Sequence, residues 1–196
     1  MAELSRYHYG PGARWQALVP SSKGREDLAE RLRPVLAEVS EYCGDAAFAV
    51  VRDGGLSHCI ARHVGSYPVQ ALVIQVGTRQ PLGVGASGLA LLSALADREV
   101  EAVIDINAPA LALYGGMTQE RLRLLVAATR ERGWAVVGNH AIKGVLAVGM
   151  PVYNQAGDVL AGISVATIED RMPRERQRAI AQVMRKALRA HGLEAY

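Results

Sequence analysis

The stretch PLGVGASGLALL, residues 81–92, decides how the rest of the chain is read. Gly83, Gly85 and Gly88 stand at G-x-G-x-x-G spacing and run straight into an apolar helical pattern, and Asp105 follows seventeen residues after Gly88. By template this is a dinucleotide-binding fingerprint with its ribose-binding acid, which would make the protein a nucleotide-cofactor-dependent oxidoreductase. The fingerprint works only where a strand runs directly into the first glycine, so that amides at the start of the next helix meet the pyrophosphate. Here the preceding Val/Ile/Leu-rich run ends at Gly77, Thr78 to Leu82 intervene, and Pro81 opposes a central strand. What survives is narrower. A glycine-rich turn opening a helix at Ala86-Ser87-Gly88 leaves free N–H groups and a partial positive charge, a seat for a carboxylate. A structural turn packed closely against a sheet fits the spacing equally well.

On either side the pattern is mixed. Residues 1–20, including YHYGPGARWQALVP, read as irregular. From Ser22, the residues Leu28, Leu32, Val35, Leu36 and Val39 share one helical stripe, closed by Gly44 and bent at Pro34, over about four to five turns. DAAFAVV and LSHCIARHV then read as strands joined through Arg52-Asp53-Gly54-Gly55, and VQALVIQVG (69–77) reads as a third strand. Beyond the glycines, Leu89 to Leu95 read as a helix, and DREVEAVIDI is ambiguous between helix and strand. Thr118 caps a helix with Leu122, Leu125, Val126 and Thr129 on one face and Gly133 at its end, followed by a short strand, WAVV. VLAVGMPVY and DVLAGISVAT flank the turn Asn154 to Gly157. A last helix begins near Pro173 and presents Ile180, Val183, Met184, Ala187 and Leu188 to the core before Gly192. Two hairpins with connecting helices imply an α+β fold, an antiparallel sheet flanked by helices. The order of the strands does not follow from patterning.

Composition narrows the class. At 196 residues the chain is one domain, or one domain plus a tail, and can bury a sizeable core. Half of it is hydrophobic, its apolar runs break well short of the ~18 residues a membrane span requires, and MAELSRYHYG is not a signal pattern. The expected location is the cytoplasm, without membrane association. Cys43 and Cys59 are too few for a disulfide framework and read as buried reduced thiols. A net charge of +3 is far from a strong nucleic-acid footprint.

The motifs now on the page resemble, in order and spacing, the effector-binding domain of the IclR family of bacterial transcription regulators. The family's pattern of V-G-x-x-x-P-L, a small-residue turn and helix, a "G-Y" strand, an A-x-P-V strand and an A-x-S-V/I-S strand is similar to Val76-Gly77, Pro81-Leu82, Gly133-Trp134, Met150-Pro151-Val152, Asn154 to Gly157, and Gly162 to Val165. The match covers about residues 25–190. Tyr7-His8-Tyr9-Gly10 is similar to the segment closing the wing of the family's winged helix-turn-helix domain. The resemblance therefore implies that residues 1–21 are a remnant of wing and interdomain linker and residues 22–196 the effector-binding and oligomerisation domain, with DNA reached only through an N-terminal domain not in this chain. It also implies a GAF/profilin-like twisted antiparallel sheet flanked by helices, assembled as a homodimer or homotetramer, and no enzymatic activity, catalytic residue or cofactor. Carried over by position, the ligand-binding residues are Gly85, Ala86, Ser87 and Gly88 from the turn, Val137 and Asn139 after Trp134, Ala147 on the next strand, and Ser164 and Ala166 on the late strand. The implied ligand is a small organic effector, with Ser87 and Ser164 suited to a carboxylate. The chain departs from relatives in reading Val137-Gly138-Asn139-His140 and Val145-Leu146-Ala147 where they often carry acids and an Arg, and in having Ala166 for a serine. These departures lean toward an aromatic or longer-chain ligand.

Other constellations read as bland. His58, Cys59 and His63 lack a completed ligand set, and the two histidines, five apart on a strand, are expected to face opposite ways, so no metal is assigned. Arg171, Arg174, Arg176, Arg178, Arg185, Lys186 and Arg189 read as the solvated face of the last helix. Ser87 is not in a G-x-S-x-G elbow, which removes the simplest hydrolase reading.

Overall fold

The structure, a computed structural model, describes residues 2–5, 8–10, 22–140 and 142–195. Strands β1 (Ala2–Ser5) and β2 (His8–Gly10) pair antiparallel, where the sequence reads as irregular. Tyr7 and residues 11–21 lie outside the described residues.

The body is a six-stranded antiparallel sheet built from β3 (Ala46–Asp53), β4 (Leu56–His63), β5 (Arg79–Pro81), β6 (Ala135–Gly138), β7 (Val145–Tyr153) and β8 (Val159–Ile168), in the order β5-β4-β3-β8-β7-β6. Both predicted hairpins form, and β3 against β8 joins them at the centre. Helix α1 (Ser22–Cys43) runs about six turns, longer than the stripe of apolar residues suggests.

Period-two alternation sends side chains to two different cores. Ala47, Ala49 and Val51 of β3, Val148, Met150 and Val152 of β7, and Ala161, Ile163 and Val165 of β8 face one way. There they pack with Leu32, Val35, Leu36 and Val39 of α1 and with Ile180, Met184 and Leu188 of α5 (Arg174–Ala190). Ala46, Phe48 and Val50 face the other way, toward α2 (Ala86–Ser93). All eight residues of α2 are buried. Behind it lie α3 (Asp97–Leu111) and α4 (Gln119–Arg132), the latter capped by the Thr118 hydroxyl, which accepts from the Arg121 amide, and closed by Gly133 at φ +83. The ambiguous DREVEAVIDI is thus helix, with Val100, Val103, Ile104 and Asn107 buried.

Three expectations are corrected. VQALVIQVG forms no strand: Ala71 and Ile74 turn inward while Val69, Leu72 and Val76 are exposed. The segment is tied at its ends instead, by Gln70 Nε2 donating to Gly44 O and by a Gly77 N–H···O Cys59 and Cys59 N–H···O Thr78 pair. The edge of the sheet goes to β5, only three residues long and containing Pro81, which periodicity cannot detect. Next, β4 carries a bulge where Ala49 pairs Ala61 but Val50 pairs Cys59. His58 and His63 therefore sit opposite Val51 and Ala47 on the same face, not on opposite faces. Four paired positions still separate them by about 13 Å, and the described residues contain no group of metal-ligating side chains.

Finally, two of the supposed surface arginines turn inward. The Asp45 carboxylate, 1% exposed, accepts from Arg176 Nη2 at 2.7 Å, Arg171 Nη2 at 3.2 Å and the Thr167 hydroxyl at 2.9 Å. Arg176 also donates to the carbonyls of Cys43 and Arg171, and the Arg171 guanidinium lies 3.3 Å from the Tyr67 ring centroid. Cys43 and Cys59 are free and buried, and burial raises both thiol pKa values, Cys59 to about 11.

Candidate functional site

The site follows from how closely α2 approaches the sheet. Directly opposed residues of an antiparallel pair share a face, so the register defines cross-sheet rows. One row reads Phe48, Ser164, Gly149, Ala135; the next reads Ala46, Ala166, Ala147, Val137. At Gly149 a Cβ would run into the Ala86 carbonyl oxygen; at Gly162, the next inward position of β8, it would meet the Ser87 carbonyl oxygen. Two glycines in strand interiors therefore seat the first turn of α2 on the sheet, and Ser164 is the cross-strand neighbour of one of them.

The turn before α2 is built by Gly83, whose φ of +104 suits glycine and whose Cβ would strike Leu92 and Leu122. Gly85 is the N-cap, without a side-chain cap. Leu89 N–H bonds Gly85 O at 2.7 Å, while the amides of Ala86, Ser87 and Gly88 have no backbone partner among the described residues. The strand leading in is β5, an antiparallel edge strand, so the geometry of a pyrophosphate loop at the end of a parallel strand is not present at these glycines.

A small cavity of about 40 Å³ opens at this helix start. Of the predicted ligand-binding residues, Gly85, Ala86, Ser87, Val137, Asn139, Ala147, Ser164 and Ala166 border it. Gly88 does not: it lies against Gly83 and Ser57. Ser87 and Ser164 are nearly buried, and no hydrogen bond among the described residues uses either hydroxyl. Asn139 sits at φ +63 and its amide is already engaged, Oδ1 accepting from Gly144 N–H and Nδ2 donating to Glu169. Its side chain tightens the β6–β7 connection.

Sequence reading missed Phe48, Gln80, Val84 and His140, and missed Val73 and Ile74, which border the cavity from the segment that did not become a strand. Only Phe48 carried a signal, being in phase with Ala46 and Val50 on β3. Among the described residues, no Asp, Glu, Lys or Arg lines the cavity. His140 Nε2 accepts from Arg121 Nε at 3.3 Å. Burial, with Arg121 second, holds the imidazole pKa below its ordinary value, so the ring is neutral at pH 7. Small donors beside a helix start, over an apolar floor, can hold a small anion or carbonyl oxygen attached to an apolar body.

The sequence pattern of the family described as "Bacterial transcriptional regulator IclR C-terminal" matches residues 22–191. Among relatives, the HTH-type transcriptional regulator KipR of Bacillus subtilis (strain 168) is 29% identical over 154 residues, covering 78% of this chain and 61% of the relative. The Pca regulon regulatory protein of Pseudomonas putida is 28% identical over 150 residues, covering 75% of this chain and 51% of its own. The chain thus spans between half and two thirds of the length of these relatives. Among solved structures, the Thermotoga maritima IclR matches with a TM-score of 0.76 at 20% identity, over 85% of this chain and 67% of that one. The C-terminal domain of the E. coli transcriptional regulator KdgR matches with a TM-score of 0.71 at 21% identity, over 85% of this chain and 96% of that one. At these identities the structural likeness establishes the fold.

Proposed function

The chain belongs to the family of bacterial transcriptional regulator IclR C-terminal domains, and on that premise we propose that it is a ligand sensor whose cavity at the start of α2 takes a small organic acid with an apolar, aromatic or longer-chain body. The family and its named relatives are regulators and not enzymes, which removes the oxidoreductase reading of Gly83, Gly85 and Gly88.

The observation that carries the proposal is the uncapped α2 start, held against the sheet by Gly149 and Gly162, with Ser87 and Ser164 uncommitted beside it. A carboxylate there would meet helix amides and hydroxyl donors, and its body would rest on Phe48, Val137, Ala147 and Ala166. In this reading residues 22–196 sense and self-associate as a homodimer or homotetramer, residues 1–21 belong to the connection toward a DNA-reading domain, and operator DNA is contacted by that domain alone. The effector acts by binding one arrangement of protomers better than another, since only differential affinity moves such an equilibrium.

The test is a thermal-shift and calorimetric panel on the 196-residue chain: pyruvate, benzoate, hexanoate and NADH. Benzoate or hexanoate should raise Tm in a saturable way, by an amount following ligand concentration over Kd. Stabilisation by pyruvate alone would sink the apolar-ligand reading. Stabilisation by NADH alone would sink the sensor.

A further inference from the structure

The polar side chain most out of place in this fold is Gln80. It is the middle residue of β5, paired with Ser57, whose hydroxyl donates to the Gln80 carbonyl. The residue is only 8% exposed and it borders the cavity. Yet neither atom of its carboxamide takes part in any hydrogen bond among the described residues, nor is either sealed off in the surrounding packing. The residue is nearly buried as a whole while its carboxamide stays open toward the cavity, where most side chains of this exposure already have protein partners. Gln80 faces the cavity as an unfilled donor and acceptor.

Gly85 shows that room is kept for it. At φ −97 and ψ 161 the backbone there is ordinary extended chain that any residue adopts. A Cβ at this position would, however, stand 2.8 Å from Gln80 Nε2, and nothing else lies within 4 Å of it. Gly85 thus leaves space that the Gln80 amide occupies beside the N-cap of α2, and a side chain there would push that amide aside. The template reading of Gly85, close approach to a pyrophosphate, is replaced by close approach of a side chain.

Since no cation among the described residues lines the cavity, an anion there would be held by neutral donors. We propose that Gln80 is a specificity-determining residue of this site: its carboxamide N–H joins the free amides at the α2 start and the Ser87 and Ser164 hydroxyls in a charge-neutral cradle for a carboxylate, with Gly85 leaving room for it. The proposal rests on the sensor reading above. It also states how this site grips its ligand: by hydrogen bonds alone, so that affinity varies little with salt and is lost when a negative charge is placed at position 80.

The experiment measures binding of benzoate and its neutral isostere benzamide to the 196-residue chain at pH 7.5, by calorimetry, at low and high salt. The variants are Gln80→Glu, Gln80→Leu, Gly85→Ala and the double variant Gly85→Ala/Gln80→Leu, with folding checked by thermal melts. Gln80→Glu should weaken benzoate about tenfold or more while changing benzamide far less. Gly85→Ala, which leaves Gln80 in the sequence but displaces its amide, should weaken benzoate about as much as Gln80→Leu. The double variant should be no worse than either single one, because both remove the same contact. Benzoate affinity within about twofold of the parent in Gln80→Glu and Gln80→Leu, with the parent binding well, would overturn the role of Gln80 and leave the sensor reading standing. A parent chain that takes neither benzoate nor benzamide would overturn this cradle together with the aromatic-acid reading beneath it.

Discussion

The two faces of one sheet are made by the same strands through simple alternation, yet they are finished differently. On the α1/α5 face, Val148, Met150, Val152, Ile163 and Val165 are essentially inaccessible, and the buried acid at its end, Asp45, has its oxygens taken by two arginines and a threonine. On the α2 face, Gly149 and Gly162 replace side chains with a helix backbone, and Ser87, Ser164 and Gln80 face a cavity without protein partners. At the end of one face the buried carboxylate is fully engaged; the other face keeps several hydrogen-bonding groups open. The difference separates a face closed by packing from one that keeps a cavity and open hydrogen-bonding groups.

The largest expected effect tests the closed face. Asp45→Ala would leave the Arg171 and Arg176 guanidinium groups without their buried counter-charge, and should cost about 3–5 kcal/mol in denaturant unfolding. A loss under about 1 kcal/mol would mean that the arginines simply swing to solvent and the network holds nothing. Next comes the seat of α2. Gly162→Ala puts a methyl into the Ser87 carbonyl and should cost about 1–3 kcal/mol. It should also reduce ligand binding, because the displaced turn carries the amides and Ser87. An equally destabilising change on the other face should lower stability with little loss of affinity, and equal losses from both would erase the contrast drawn here.

The smallest effect is a pH dependence. Burial, with Arg121 second, lowers the His140 pKa, and burial lowers that of His58 as well. Near pH 7.5 both folded and unfolded forms are neutral. As pH falls through about 6.5, the unfolded chain takes up protons first, so stability declines until the lowered folded pKa is passed and then levels. His140→Gln should flatten part of that decline in melts between pH 7.5 and 5. An unchanged slope would remove His140 from the account.

Much of the scaffold was legible because it rests on periodicity. The stripe from Leu28 to Val39, both hairpins, the Thr118 cap and the Gly133 end all depend on neighbours within a few residues. The errors fall where a long-range partner overrides local preference. VQALVIQVG has strand composition but forms no strand and borders the cavity through Val73 and Ile74, and the bulge in β4, invisible in composition, put His58 and His63 on one face. The turn residues Gly85, Ala86 and Ser87, expected from sequence and resemblance together, border the cavity. Gln80 and His140 could not be expected there, since nothing near them in the chain signals that their surroundings would be buried.

What the sequence determined by itself is the set of elements and the presence of a glycine turn opening a helix, because helix stripes, strand alternation and positive-φ turns are short-range properties of the backbone. What only the tertiary structure decided is what that turn is for. The same glycine spacing can open a helix over a pyrophosphate at a parallel strand or, as here, open one whose Ala86 and Ser87 carbonyls sit on Gly149 and Gly162 of an antiparallel sheet, with Gly85 beside the Gln80 amide. That choice lies in contacts between residues far apart in the chain, where strand order and register, and not local propensity, set which atoms meet.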